Sequence, residues 1–121
     1  MMNVKPGIAD RTKSFSLRII RLCAALPKTM EARVIGKQIL RSGTSVGAHV
    51  REGRRSRSDA EMISKVEGAL QEMEETMYWL ELLTDSGIVK VELLADLMKE
   101  ADELTAVLVT SAKTLKSRRA K

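Results

Sequence analysis

The sequence predicts an all-α fold, a single domain over residues 1–121 built as an antiparallel up-down-up-down four-helix bundle. Three observations predict it. Aromatic residues make up only 2% of the chain, as Phe15, Tyr78 and Trp79, whereas strand-rich folds lean on aromatic and β-branched side chains. The apolar share of 44% goes instead to Leu, Ala, Ile, Val and seven Met, a composition that points to helices. The apolar positions recur with a helical period, and the connections between the periodic segments are short, as antiparallel neighbours require.

The first helix is predicted over residues 11–26. Phe15, Ile19, Leu22, Cys23 and Leu26 recur at i, i+4, i+7, i+8 and i+11, and Pro27 stops the helix. Leu17, Ile20 and Ala24 form a second apolar stripe, so this helix has more than one face to bury. The second helix is predicted over residues 31–53 despite Gly36, Gly43 and Gly47, each costing about 1 kcal/mol relative to Ala. Three faces sort cleanly along it. Ile35, Ile39, Val46 and Val50 share one, the glycines and Leu40 lie beside them, and Arg33, Lys37, Arg41, Arg51 and Arg55 lie opposite. The third helix is predicted over residues 59–85, opened by a capping box at Ser58 and Glu61 and stopped by Gly87. Its seam is Ile63, Val66, Leu70, Met73, Met77 and Leu80. The fourth, over residues 91–115, continues the pattern with Leu94, Leu97, Ala101, Leu104, Leu108, Ser111 and Leu115. The tails, residues 1–10 and 116–121, are expected to fray.

Several function classes are excluded by count. One cysteine, Cys23, forms no intrachain disulfide and fits a reducing cytoplasm. One histidine, His49, and one cysteine make no Cys/His zinc site, and the paired Glu-x-x-His motifs of a di-iron bundle are missing. No phosphate-cradling glycine loop is present. The N-terminal stretch has no apolar segment of the kind a secretory signal needs. The longest uncharged runs are far shorter than the roughly 20 residues of a membrane span.

The net charge of +5 conceals a strong polarity. Residues 1–57 hold 13 basic and 3 acidic side chains, residues 58–110 hold 3 basic and 13 acidic, and the last eleven add 5 basic. Either the halves attract one another within or between subunits, or the basic stripe meets phosphate. Arginine dominates the run at Arg51, Arg54, Arg55 and Arg57, which suits bidentate phosphate contact. Because Tyr78 and Trp79 fall on the acidic third helix, no base-stacking platform accompanies the basic stripe. Nucleic-acid binding is therefore expected to be backbone-directed, low in sequence specificity and steeply salt-dependent.

Gly36, Gly43 and Gly47 permit close helix approach, either inside the monomer or between subunits, with Leu40 beside them. On the third helix, Glu67, Gln71, Glu74, Tyr78, Glu81 and Asp85 line one side and Glu72, Glu75 and Trp79 another. With no nucleophile, second histidine or metal set nearby in sequence, these carboxylates read as ion-pairing groups, Glu75 with an arginine of the second helix, and no enzyme is expected. Trp79 is expected to pack a bundle or subunit contact.

Three stretches together carry a family resemblance. They are residues 15–28 ending in Leu26-Pro27-Lys28, then Gln38-Ile39-Leu40-Arg41-Ser42-Gly43-Thr44-Ser45-Val46-Gly47-Ala48-His49-Val50-Arg51-Glu52-Gly53, and Glu72 through Glu75-Thr76-Met77-Tyr78-Trp79-Leu80-Glu81-Leu82-Leu83. The chain resembles the bacterial four-helix-bundle proteins encoded in intervening sequences of large-subunit ribosomal RNA genes, often labelled ribosomal-like proteins, over residues 13–115. The family usually carries Asn where His49 stands and a small or apolar residue where Arg51 stands. The resemblance implies a left-handed antiparallel bundle and a ring-forming homopentamer. It also implies kinship with the accessory variability protein of diversity-generating retroelements, whose basic barrel binds nucleic acid and a reverse transcriptase.

Taken together, the sequence predicts a non-enzymatic, oligomeric nucleic-acid-binding protein of the cytoplasm, without cofactor or metal and away from the membrane. RNA is the expected nucleic acid, with DNA the other candidate. Phosphate contacts are expected from Arg33, Lys37, Arg41, Arg51, Arg54, Arg55 and Arg57, with Arg41 also suited to an internal pair with Glu75. The alternative is a protein-interaction scaffold, or an accessory subunit for a nucleic-acid enzyme such as a reverse transcriptase, with a protein partner.

Overall fold

In the computed structural model, which describes residues 7–120, four helices follow one another: α1 (Ile8–Ala25), α2 (Met30–Arg54), α3 (Asp59–Asp85) and α4 (Val91–Ala120). No strand occurs among the described residues. The helices form a four-helix bundle in which α2 packs between α1 and α3, and α4 packs on α3 and returns to α1. As α2 advances from Gly36 through Gly43 to Gly47, its neighbour on α1 recedes from Leu26 through Ile19 to Thr12.

The helix limits follow from local chemistry. Leu26 precedes Pro27 and is held extended (ψ 151°), so α1 ends at Ala25, one residue before the predicted limit. Thr29 caps α2, accepting a hydrogen bond from the Ala32 amide at 3.2 Å. Ser58 accepts from the Glu61 amide at 3.1 Å and caps α3. Gly87 supplies the left-handed residue after α3, with φ of 78°. The glycine-rich middle of α2 stays helical because its hydroxyls turn back on the helix. Ser42 donates to the Gln38 carbonyl, Thr44 to Leu40 and Ser45 to Arg41, so none competes for a cap.

Both predicted tails need correction. Residues 8–10 already belong to α1, where the Arg11 amide donates to the Gly7 carbonyl; residues 1–6 lie outside the described residues. Helix α4 runs through residues 116–120 instead of stopping at 115, and residue 121 lies outside the described residues. Lys116 pairs with Glu67 at 2.7 Å and Arg118 with Asp59 at 2.8 Å, and these contacts fasten the polar last turns to α3.

The core is drawn from all four helices. Phe15, Ile19, Ile39, Val46, Met73, Leu80, Leu83 and Leu104 are buried. Three assignments shift by one position. Ala112 is buried where Ser111 was expected, and on α3 Ala69 and Thr76 go inside while Leu70 and Met77 stay half-buried; Leu83 joins the core as well. Thr76 is satisfied across the α2–α3 contact by Ser42, which brings two small polar residues to the centre of the bundle. The second apolar stripe of α1 is only partly covered by the described residues: Leu17 and Ile20 are 47% and 46% exposed.

Candidate nucleic-acid interface

The face of α2 opposite the core carries the predicted cations, because residues spaced by three, four and seven return to one side of a helix. Arg33, Lys37, Arg51, Arg54, Arg55 and Arg57 are all exposed. Among the described residues none of these six lies within ion-pair distance of a carboxylate. They are not one patch. Arg33 and Lys37 stand near the start of α2, and Arg51 follows Lys37 by about 21 Å of helix. Arg54, Arg55 and Arg57 close the set at the α2–α3 connection.

Arg41 is different. Its guanidinium pairs with Glu75 and, at 3.2 Å, with Glu72, both on α3. The fork that would grip a phosphate is thus committed inside the monomer, and we remove Arg41 from the phosphate set. Other parts of the charge polarity are used in the same way. Arg11 of α1 pairs with Glu100 at 2.7 Å and reaches Glu103 at 3.4 Å on α4. The hydrogen bond to Glu100 raises the Arg11 pKa above its ordinary value. Exposed pairs of this kind contribute about 0–1 kcal/mol each.

The glycine ridge faces α1 within the monomer. A Cβ on Gly43 would lie 2.8 Å from Cγ1 of the buried Ile19, one on Gly47 would lie 3.3 Å from the Thr12 carbonyl, and one on Gly36 would touch Leu26. Leu40, 41% exposed, lies above this contact and lines a groove of about 350 Å³ with Ala24, Pro27, Arg33 and Lys37. Trp79 is half-buried against the core and meets Tyr78 edge-on at 5.3 Å, while its Nε1 is buried without a hydrogen-bond partner among the described residues. Tyr78 is exposed on α3 and Phe15 is buried, and Trp79 follows Glu75, the partner of Arg41, by one turn of α3. The His49 imidazole lies against Gly68 of α3, with Nδ1 3.7 Å from Glu52.

The sequence reasoning missed the end of α4. Arg118 grips Asp59 with two parallel bonds, Nε to Oδ2 at 3.1 Å and Nη2 to Oδ1 at 2.8 Å. This places Arg118 beside the start of α3, two residues past Arg57 in sequence, although the two arginines are far apart along the chain. The available signal was the basic composition of residues 113–119, but composition alone does not say which end of the bundle receives it.

Among the described residues, no group of three or more His, Cys, Asp or Glu side chains is placed to hold a metal ion, and no helix is long and apolar enough to cross a membrane. The sequence model of the 23S rRNA-intervening sequence protein family matches residues 7–110. Among solved structures, the chain is similar to a protein of unknown function from the S23 ribosomal protein family of Bacteroides thetaiotaomicron, determined at 1.70 Å. The two share 36% identity with a TM-score of 0.84, over 88% of this chain and 99% of that one. No curated protein matches.

Proposed function

This chain belongs to the family of 23S rRNA-intervening sequence proteins, and we propose that it works without catalysis, as an oligomer that binds the phosphate backbone of nucleic acid, RNA in the first place. The observation that carries this reading is the set of six exposed cations, five of them arginine, that have no carboxylate partner among the described residues, while Arg11, Arg41 and Arg118 are each paired. A cationic stripe kept free of acids beside an acid-rich α3 is suited to an anion from outside. With no aromatic residue on α2 itself, binding is directed to the backbone, so sequence specificity is low and salt dependence steep. The setting is cytoplasmic, in keeping with one free cysteine whose thiol pKa is raised by burial.

The oligomer is a ring, a homopentamer of left-handed antiparallel bundles. The receding order of α1 contacts along α2 supports the antiparallel sense. Leu17, Ile20 and Leu40, exposed on the α1–α2 side, supply apolar surface for the next subunit, whose acidic α3 complements the cations flanking it.

A second reading takes the same surface as the seat of a protein partner, with the chain as an accessory subunit for a nucleic-acid enzyme such as a reverse transcriptase, in keeping with kinship to the retroelement accessory protein. The exposed Leu17, Ile20 and Leu40 favour it.

Light scattering on the purified protein, with absorbance at 260 nm recorded across the same peak, tests the proposal. An oligomer mass with co-purifying RNA is the expected result. A monomer free of nucleic acid would overturn both halves.

A further inference from the structure

We propose that the bundle end formed by the α2–α3 connection and the last turns of α4 is one composite phosphate-binding surface, in which Arg118 and Arg119 join Arg54, Arg55 and Arg57 and Asp59 is the carboxylate an RNA phosphate displaces. This rests on the nucleic-acid reading above and names the place where the RNA sits.

The juxtaposition comes from packing. The bidentate bond between Arg118 and Asp59 ties the end of α4 to the start of α3, and Arg57 lies only two residues before Asp59. Arg119 is close enough to act on the same carboxylate. Asp59 titrates below the ordinary carboxylate range, chiefly through its hydrogen bond with Arg118 and further through the charges of Arg118 and Arg119. Of the acids at this end, Glu52 is taken by Lys65 at 3.2 Å and Glu67 by Lys116 at 2.7 Å. Glu61 in the first turn of α3 and Asp10 in that of α1 have no ion-pair partner among the described residues, so the six unpaired cations that follow outnumber the unpaired acids. Arg51, Arg54, Arg55, Arg57, Lys113 and Arg119 are left without an ion-pair partner among the described residues.

Helix dipoles do not account for this excess. Helix α2 and helix α4 finish at this end, but α3 begins beside Arg118, and the start of α1 lies beside the end of α2, where Ala9 and Arg51 line one groove. Two negative helix ends therefore meet two positive ones, and their partial charges of roughly half a unit each cancel. The formal charges remain.

Asp59 holds Arg118 in the geometry a phosphate would use. A carboxylate and a phosphate each offer two oxygens to the guanidinium fork. A phosphate arriving among Arg54, Arg55, Arg57 and Arg119 exchanges for Asp59 on Arg118. The acid thus keeps the fork aimed and weakens binding at the same time.

The test is a fluorescence anisotropy titration of a labelled RNA hairpin, repeated over a range of salt, with helical content of each variant checked by circular dichroism. Asp59→Asn is expected to tighten binding several-fold and steepen the salt slope by about one, because Arg118 is released to the RNA. Arg119→Gln is expected to weaken binding and flatten the slope by about one. Glu92→Gln makes the same charge change as Asp59→Asn near the other end of α4, about 39 Å away along the helix and beyond the screening length, and is expected to leave binding unchanged. If wild type binds and Arg54→Gln weakens it, but Asp59→Asn and Arg119→Gln do nothing, the composite surface is wrong and the nucleic-acid reading stands. If Glu92→Gln tightens binding as much as Asp59→Asn, the composite surface is again wrong. If wild type does not bind at low salt, both fall.

Discussion

Thr76 of α3 donates its hydroxyl proton to Ser42 of α2 at 2.8 Å, and both side chains are fully buried. Ser42 passes the chain on to the Gln38 carbonyl at 2.9 Å. Small residues here let α2 and α3 approach closely, and the pair leaves no orphaned hydroxyl. Ser42→Ala is expected to cost about 1 kcal/mol, since Thr76 retains the Glu72 carbonyl at 2.7 Å as acceptor. Ser42→Val should cost more, about 1–3 kcal/mol, by overpacking the contact. Urea denaturation midpoints would check the order.

Two glycines of the bundle should respond to alanine with opposite sign. Replacing Gly43 gains about 1 kcal/mol of helix propensity but drives a Cβ to within 2.8–2.9 Å of the branched, buried Ile19. Overpacking of about 1–3 kcal/mol wins, and Gly43→Ala destabilises. Gly68→Ala meets only the His49 ring, at 3.1–3.4 Å, on a side chain that is 30% exposed and can swing aside. It should be neutral or stabilising by up to about 1 kcal/mol. Thermal melts of the two variants would separate them.

These two sites also mark how far the sequence could be read. The small-residue spacing of Gly36, Gly43 and Gly47 announced a close helix contact, yet that spacing is the same whether the neighbour is α1 of the same chain or a second subunit. Only the placement of Ile19 and Thr12 decides it. The apolar seams of α3 and α4 were legible because Leu, Met, Ile and Val repeat at three and four. The last turns of α4 were not, because Lys116, Arg118 and Arg119 have no apolar period, and Lys116 and Arg118 are held by carboxylates 49 and 59 positions away. Six of the seven predicted cations are exposed and, among the described residues, unpaired. The seventh, Arg41, is held along the surface by Glu72 and Glu75, a pairing the charge pattern allowed but could not distinguish from a phosphate contact.

Acid should loosen the end of α4 before the rest of the bundle. Arg118 lowers the pKa of Asp59 below its ordinary value of 3.8, so the pair contributes its full stabilisation above that pH. The contribution is lost as pH falls through the lowered pKa, when the carboxylate is protonated. Amide protection factors at residues 116–120, taken relative to the intrinsic exchange rate at each pH, are expected to fall on acidification below about pH 4. Asp59→Asn should show low protection already at neutral pH.

The exposed apolar stripe of α1 predicts a subunit contact. Ile20→Lys is expected to lower the mass seen by light scattering while leaving helical content unchanged, because Ile20 is half-exposed in the monomer. An unchanged mass would place the contact elsewhere.

The proposed function divides the cations between Arg41, paired within the monomer, and an exposed set that meets phosphate, and a titration of a labelled RNA hairpin at two salt concentrations tests that division most directly. Wild type should bind at low salt and weaken steeply as salt rises. Arg41→Gln should leave the salt slope unchanged, whereas the triple change of Arg54, Arg55 and Arg57 to Gln should flatten it by about three. No binding by wild type at low salt, or a slope that the triple change leaves intact, would contradict the account.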